Sequence, residues 1–241
     1  MTNLKLTRNT ILLGCLAAAL HGQTPARAPR KPIFISPAVA ESVVLITPPP
    51  ALNSKKMSKD LSEIFALHRA PTAEEVEKAN WDNKHEDLFA IANVLGPKFT
   101  KESLPATAAL WADLANDQGI VVSAAKKFFQ HPRPYDVDPN IKSICGSKPG
   151  GPKNSYPSGH ATAGYLSALV LTMMVPEKGE IVRARAEEYA HNRVICGDHY
   201  AADLVGSKEA AILTLGNILG NAKFQQEFAA AKAEVRSALG L

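Results

Sequence analysis

The stretch NSYPSGHATAGYLSALVLTMM, residues 154–174, joins a polar turn to a long apolar run. From Ala161 to Met174 no residue is charged, and most are apolar or small. A run of this length is too short to cross a hydrocarbon core of about 30 Å, but it suits a helix that is buried on all sides. The stretch therefore predicts a central buried helix that begins just after the polar turn.

Amphipathic patterns on both sides of this run indicate further helices. Apolar residues recur at three- and four-residue spacing in the segments Met57–Arg69, Thr72–Gly96, Leu104–Phe129, Glu177–Cys196 and Asp203–Leu219. No alternating strand pattern is longer than a few residues. The predicted fold class is therefore all-α, with residues 57–241 forming one compact, single-domain helical bundle. Residues 29–56 are rich in proline, which predicts an extended arm packed on the surface of the bundle.

The N-terminal stretch, residues 1–28, has the pattern of a secretory signal peptide. Two basic residues precede ten mostly apolar residues, Ile11–Leu20, and a small-x-small motif ends at Ala28. The apolar run is too short for a membrane anchor, and a lipoprotein cysteine is disfavoured because few apolar residues precede it. We therefore expect a periplasmic or secreted protein, with cleavage at Ala28 or nearer Gly22.

The composition is that of an ordinary soluble domain and argues against a nucleic-acid partner. The chain has 241 residues, of which 46% are hydrophobic and 21% charged, and its formal net charge is +4. Three of the 27 basic residues and none of the 23 acidic ones lie in the signal peptide. The remaining basic residues are scattered among acidic ones and form no basic stripe.

Two cysteines, Cys145 and Cys196, remain once the signal peptide is removed. Because the protein is expected in an oxidising compartment, a disulfide between them is predicted. The alternative is a pair of buried free thiols.

The polar turn Ser158-Gly159-His160 is a candidate anion-binding site. Unpaired backbone N–H groups and the helix dipole favour an anion at a helix N-terminus, and glycine allows a ligand to approach the backbone closely. Serine and glycine are also common helix caps that bind no ligand, so these residues alone leave both interpretations open.

Two further segments carry residues suited to phosphoryl transfer. Lys126 lies in the last turn of a predicted helix and Arg133 in the turn beyond it, while Arg193, His199 and Asp203 follow one another at spacings of six and four residues. On a helix, the spacing of four residues would place Asp203 on the same face as His199. A carboxylate beside a histidine orients and activates the ring. Each residue taken alone could instead be solvated or structural. Together with the turn, they suggest phosphoryl transfer through a histidine.

These three segments resemble the tripartite signature of the type 2 phosphatidic acid phosphatase superfamily. The chain is most similar there to the bacterial class A non-specific acid phosphatases, which share the PPPALNS arm, the LPATAAL helix and the RVICG lead-in to the third motif. The resemblance runs from about Leu45 to near the C-terminus. It implies an enzyme that hydrolyses small phosphate monoesters with an acidic pH optimum and can also transfer phosphate to alcohols.

The resemblance also implies a role for each motif residue. His199 attacks phosphorus to form a phosphohistidine, Asp203 holds the other ring nitrogen, and His160 protonates the leaving alcohol and then activates water. The groups that bind the phosphoryl oxygens are Lys126, Arg133, Ser158, Gly159 and Arg193. Inorganic phosphate or vanadate is expected to inhibit, and the family implies a homo-oligomer. No metal or other cofactor is expected, because the seven histidines are scattered and no carboxylates cluster.

Two residues depart from the family pattern. Asn192 stands where serine usually precedes the arginine, and a small effect is expected because asparagine can also form hydrogen bonds. Asp198, next to the predicted nucleophile, could repel phosphate, raise the basicity of His199 or point away from the site, and the sequence leaves these three outcomes open.

Three other functions compete with the phosphatase hypothesis. A vanadate-dependent haloperoxidase uses a similar anion site, but the chain is short for that class. An integral lipid phosphatase needs several apolar spans of about 20 residues, which the sequence lacks. A phosphate-binding module that has lost turnover stays open because of Asp198 and Asn192.

Overall fold

A computed structural model describes residues 30–152 and 154–241 of the chain. The predicted signal peptide lies outside the described residues. Within them the chain is helical and contains no strand, so the all-α prediction is confirmed. In the same ranges, no helix combines the length and the apolar character that a membrane span requires.

The described residues form α-helices and three short 3-10 helices. In chain order the α-helices are α1 (Lys55–Arg69), α2 (Ala73–Lys84), α3 (Leu88–Ala92), α4 (Pro105–Phe129), α5 (Pro134–Val137), α6 (Gly159–Met174), α7 (Gly179–Ile195), α8 (Ala201–Ile218) and α9 (Ala222–Leu239). The 3-10 helices are Pro37–Leu45, Asn93–Leu95 and Pro176–Lys178.

The predicted central helix is α6, and its side chains lie at the centre of the main core. It packs against α3, α4, α7 and α8, and most of its residues are buried. Small residues allow this close packing. A Cβ atom added to Gly164 would lie only 2.8 Å from the ring of Tyr189 on α7, so a larger residue there would push the two helices apart.

The proline-rich arm is bound to the bundle through both its backbone and its side chains. Backbone N–H groups of Ile33, Phe34 and Ile35 donate to the buried carboxylate of Asp117 on α4, at 2.6 to 2.9 Å. The arm is not extended throughout, because Pro37–Leu45 forms a 3-10 helix. Proline at the first helical position, together with a serine cap before it, favours that helical turn.

One predicted helix, Thr72–Gly96, is broken in the structure. It divides into α2, α3 and a 3-10 turn. The side chain of Asp87 caps α3 by accepting a hydrogen bond from the N–H of Ala90 at 3.1 Å. A new helix start of this kind interrupts the backbone hydrogen bonds while the apolar spacing continues, which is why the pattern suggested a single helix.

Candidate active site

The residues predicted from the three motifs meet at one end of the bundle. Lys126 comes from the last turn of α4 and Arg133 from the loop before α5. Arg193 comes from the last turn of α7, and His199 lies in the turn before α8. The start of α6 completes the site. Direct hydrogen bonds and shared loop residues connect these groups, as described below.

His199 is buried and is held at both ring nitrogens. Nδ1 lies 3.0 Å from Oδ2 of Asp203, and Nε2 lies 2.8 Å from Nη1 of Arg133. Because a guanidinium can only donate, Nε2 is the acceptor and Nδ1 carries the proton. Burial, reinforced by nearby Arg133, lowers the pKa of His199 well below its usual value. The ring is therefore neutral, with a lone pair on Nε2.

The contact between His199 and Asp203 does not arise from a shared helix, as the spacing suggested. His199 precedes α8, whose first residue is Ala201. Gly197, at φ 72°, turns the chain between α7 and α8, a conformation that favours glycine. Asp203 lies in the first turn of α8, so its carboxylate reaches back to the imidazole. The predicted pair is present, but a turn and a helix start create it.

Asp203 is fully buried, and several donors converge on one of its oxygens. Oδ2 accepts from the hydroxyl of Ser155 at 2.5 Å and from the N–H of Tyr200 at 3.1 Å, in addition to His199. Burial raises the pKa of Asp203 to about 6, against the opposing effect of these hydrogen bonds. The donors fix the position of the oxygen that orients the ring of His199.

Asn154 joins the first cationic segment to the loop before α6. Its carbonyl oxygen accepts from Nζ of Lys126 at 2.5 Å, and its side-chain oxygen accepts from Nε of Arg133 at 3.0 Å. Burial and the charge of Arg133 lower the pKa of Lys126 to about 7. Because these neighbouring cations are poorly solvated and repel one another, an anion placed between them is stabilised.

Arg193 is also buried, and Asn83 and Asp198 hold its guanidinium. Nη1 donates to the side-chain oxygen of Asn83 on α2 at 2.9 Å, and Nη2 donates to Oδ2 of Asp198 at 2.6 Å. Burial lowers the pKa of Arg193, although Asp198 acts in the opposite direction. Arg193 therefore forms an ion pair inside the cationic site.

The turn at the start of α6 caps the helix, which was one of the two interpretations that the sequence left open. The hydroxyl of Ser158 caps the helix by accepting from the N–H of Ala161 at 3.3 Å, and as an acceptor it keeps its own proton to donate. A Cβ atom on Gly159 would meet its nearest neighbour, Glu86, at an ordinary 3.6 Å. Packing therefore does not demand glycine at this position.

His160 lies beside the turn and faces α2 and the chain that follows it. Nε2 lies 3.2 Å from the carbonyl oxygen of Asn83 and 3.9 Å from the carboxylate of Glu86. Burial and the charge of Arg193 lower the pKa of His160 to about 3. The ring is neutral in this environment, and an approaching anion would favour its protonated form.

A disulfide joins Cys145 to Cys196, with Cα atoms 5.2 Å apart and a sequence separation of 51. The N–H of Ile144 also donates to the carbonyl oxygen of Cys196 at 3.0 Å. These contacts attach the long loop before α6 to the turn that carries His199.

The two departures from the family pattern occupy different environments. Asn192 is buried and donates to Oδ2 of Asp82 at 2.6 Å, and Arg185 pairs with the same carboxylate. Asn192 thus stabilises the contact between α7 and α2. Asp198 binds Arg193 directly, so it does not point away from the site.

Several contributing residues were not singled out from the sequence. Asn154 and Ser155 are separated from the Ser158-Gly159-His160 turn by only two residues, and their polar side chains close to a helix start were a signal that could have been used. Asn83 and Glu86 come from α2 and the segment after it, far from the motifs in sequence. No local pattern marks them, because tertiary packing alone brings them to the site.

Among residues 30–152 and 154–241, no group of three or more histidine, cysteine, aspartate or glutamate side chains is arranged to hold a metal ion. The charged groups of the site are instead three cations, Lys126, Arg133 and Arg193, with two buried carboxylates. This arrangement can bind a tetrahedral oxyanion and present a neutral imidazole nitrogen to its central atom.

Comparisons with known proteins agree with this geometry. The sequence profile of the PAP2 superfamily matches residues 106–220, which include every motif residue described above. Over 207 residues the chain is 28% identical to a non-specific acid phosphatase of Providencia stuartii, covering 80% of each protein. It is 26% identical over 198 residues to one from Salmonella typhi, covering 79% of this chain and 78% of that protein. It is 30% identical over 146 residues to a non-specific acid phosphatase from Salmonella typhimurium, covering 59% of this chain and 58% of that protein. The chain therefore carries a PAP2 superfamily domain over residues 106–220 and is similar to bacterial non-specific acid phosphatases over most of its length.

Proposed function

We propose that this enzyme is a metal-independent acid phosphatase that hydrolyses small phosphate monoesters through a phosphohistidine on His199. The main support for the proposal is the protonation and hydrogen bonding of the His199 ring. Nδ1 donates to Asp203, and the lone pair of Nε2 points to Arg133, a donor suited to a phosphoryl oxygen. A neutral nitrogen nucleophile beside an oxyanion donor is what attack on phosphorus requires.

In the first step Nε2 of His199 forms a bond to phosphorus as the bond to the leaving oxygen breaks. The ring becomes positively charged, and the carboxylate of Asp203, 3.0 Å from Nδ1, stabilises that charge. Lys126, Arg133 and Arg193 stabilise the equatorial oxygens, with the hydroxyl of Ser158 and the N–H of Gly159 as additional donors. Charge stabilisation by these groups replaces the role that metal ions have in other phosphatases.

His160 completes the proton balance. Although its pKa is about 3 in the site described, the negative phosphoryl group offsets the repulsion from Arg193 and favours a proton on the ring. Glu86, at 3.9 Å, acts in the same direction. The protonated ring gives its proton to the leaving alcohol. The neutral ring then takes a proton from the water that attacks the phosphohistidine, which releases phosphate and frees His199.

The same proposal extends to ligands and location. An alcohol that replaces water in the second step would accept the phosphoryl group, giving phosphotransferase activity. Inorganic phosphate and vanadate would inhibit by occupying the cationic site. The signal-like N-terminus and the disulfide support a periplasmic or secreted enzyme, and similarity to class A phosphatases supports a homo-oligomer.

The test is hydrolysis of p-nitrophenyl phosphate between about pH 4 and pH 9 in excess chelator, by the wild type and by His199→Ala. We expect chelator-resistant activity that is highest on the acidic side and is lost in the variant. His191→Ala is the matched control, because His191 is an exposed histidine on α7.

Rapid alkaline quenching should trap a phosphoprotein that is stable in alkali and labile in acid, at His199. Activity that depends on added metal, or turnover without this intermediate, would contradict the proposal. Peroxidase activity that appears with vanadate would favour a haloperoxidase, and phosphate binding without hydrolysis would favour a binding module.

A further inference from the structure

Asp198 lies between the two arginines of the site. Its carboxylate oxygen Oδ2 accepts from Nη2 of Arg193 at 2.6 Å. Its carbonyl oxygen accepts from Nη1 of Arg133 at 2.7 Å, and the same Nη1 contacts Nε2 of His199. Only 1% of Asp198 is exposed. A negative side chain is therefore built into the wall of a site whose ligand is expected to be an anion.

Two atoms of this ion pair have no partner among the described residues. They are Oδ1 of Asp198 and Nε of Arg193, and both are buried. A buried polar atom without a hydrogen bond costs about 1–3 kcal/mol, more when it is charged. Such atoms are expected where a ligand supplies the missing partner. Nε–H of Arg193 needs a hydrogen-bond acceptor, and Oδ1 of Asp198 needs a hydrogen-bond donor.

A phosphate monoester supplies both kinds of partner only when it carries one proton. The monoanion has a P–OH group that donates and P–O oxygens that accept, whereas the dianion has acceptors alone. An acceptor-only ligand would leave Oδ1 unpaired and bring negative charge next to the carboxylate.

We propose that Asp198 makes the site select the singly protonated form of the phosphoryl group, whose P–OH donates to Asp198 Oδ1 while Arg193 Nε–H donates to another phosphoryl oxygen. This inference rests on the proposed function for the identity of the ligand. No bond is broken in this recognition step. The proton stays on the phosphoryl group until after transfer to His199.

Other charged groups around Asp198 affect the binding of all anions. Arg193 on α7, Arg133 before α5 and Tyr135 on α5 face it, and His199 is its neighbour in sequence. Across the site, the further ionisable groups are Lys126, Glu86, His160 and Asp203. Their titration changes the affinity for every oxyanion. The selectivity assigned to Asp198 must therefore be measured as the ratio of the binding affinities of two anions of the same shape.

Phosphate and sulfate provide that ratio. Both are tetrahedral, but sulfate carries no proton between about pH 5 and pH 8, whereas phosphate passes from monoanion to dianion. Isothermal titration calorimetry should show that the wild type binds phosphate at least about tenfold more tightly than sulfate near pH 5, the size expected of a hydrogen bond to a charged group. The ratio should fall toward pH 8.

The decisive variant is Asp198→Asn, which keeps the shape of the side chain and can donate to an unprotonated oxygen. We expect its ratio of phosphate to sulfate affinity to fall to about one or below near pH 5, because sulfate carries the larger charge there, and no longer to fall toward pH 8. Glu86→Gln is the matched control, because it removes one negative charge beside the site without changing the partner of P–OH. Both anions should bind this variant more tightly, and the ratio of phosphate to sulfate affinity should still fall from pH 5 to pH 8, as in the wild type.

Equal affinity for the two anions in the wild type near pH 5 would overturn the inference, without recourse to any variant. So would an Asp198→Asn protein that binds both anions more tightly but keeps the wild-type ratio, since Asp198 would then only neutralise Arg193. Calorimetry needs no turnover. Absence of hydrolysis would therefore contradict the proposed function. Absence of the expected preference for phosphate over sulfate would contradict the role of Asp198.

Discussion

Nη1 of Arg133 lies 2.8 Å from Nε2 of His199 and donates to the lone pair that we assign as the nucleophile. Attack on phosphorus requires that hydrogen bond to move from Nε2 to a phosphoryl oxygen. In the proposed mechanism Arg133 is therefore both a partner of the resting His199 and a donor to the transition state. Its other contacts, to Asn154 and to the carbonyl oxygen of Asp198, keep the guanidinium in place during this exchange.

Replacing Arg133 by lysine should lower kcat/KM for p-nitrophenyl phosphate by about 10²-fold, similar to loss of one oxyanion donor. A lysine keeps the charge, but its single ammonium cannot contact Asn154, Asp198 and His199 with the geometry of a planar fork. The control is Arg183→Lys, at an exposed position of α7, which should leave kcat/KM unchanged. A loss of less than about threefold in Arg133→Lys would show that charge alone suffices.

Asp203 should be more tolerant of asparagine than of alanine. Because Ser155 and the N–H of Tyr200 also donate to Oδ2, asparagine should place its carbonyl oxygen there and keep the proton on Nδ1 of His199. Only the negative charge is then lost, and kcat should fall by about 10- to 100-fold. Alanine also loses the orientation of the ring, and kcat should fall by about 10³-fold or more.

The measurement is steady-state kcat, with circular dichroism and thermal unfolding to verify folding. Asp113→Asn, in a surface ion pair with Lys223, is the control and should retain full activity. Equal losses in Asp203→Asn and Asp203→Ala would mean that the charge of the carboxylate, not its hydrogen bond, governs His199.

Removing the disulfide should destabilise the protein. A cross-link that closes a loop of 51 residues stabilises by about 4 kcal/mol in the chain-entropy treatment, which corresponds to a decrease in Tm of about 10 °C for a protein of this size. The double variant Cys145→Ser/Cys196→Ser should show this decrease in calorimetry. Reductant should lower the Tm of the wild type but not that of the variant. Two alkylatable thiols in the unreduced, secreted wild type would contradict the bond.

The sequence predicted those parts of the structure that depend on local spacing. The uncharged run after His160 correctly indicated a buried helix, and the amphipathic segment that ends at Phe129 correctly indicated α4. The break at Asp87 was missed, because a capping side chain can start a new helix while the apolar period continues. Local patterns determine which segments are helical more reliably than where one helix stops.

The site was predictable only where its residues belong to recognisable motifs. His199 and Asp203 were paired on the premise of a shared helix face, and the structure forms the same pair across a turn. Asn83 could not have been found in this way. It reaches Arg193 from α2, 110 residues earlier, and only the packing of α2 against α7 brings the two together. The ion pair of Asp198 likewise depends on side-chain direction, which no spacing specifies.

The pH dependence of activity should contain a contribution from Lys126. Burial and Arg133 lower its pKa to about 7, so the free enzyme loses this cation as the pH rises through that value. Since kcat/KM reports ionisations of the free enzyme, log(kcat/KM) should fall more steeply above about pH 7 than below it. The arginine of Lys126→Arg keeps its charge throughout this range. The slope of log(kcat/KM) against pH above pH 7 should therefore be shallower in this variant than in the wild type, by about one.

The control is Lys127→Arg, at the adjacent exposed lysine, whose profile should match that of the wild type. Comparing slopes separates Lys126 from the ionisation of the substrate, because both enzymes receive the same ester at each pH. If Lys126→Arg is active but keeps the wild-type slope, Lys126 stays protonated in the free enzyme. The cationic site would then be less desolvated than its buried position implies, because desolvation is the main cause of the lowered pKa.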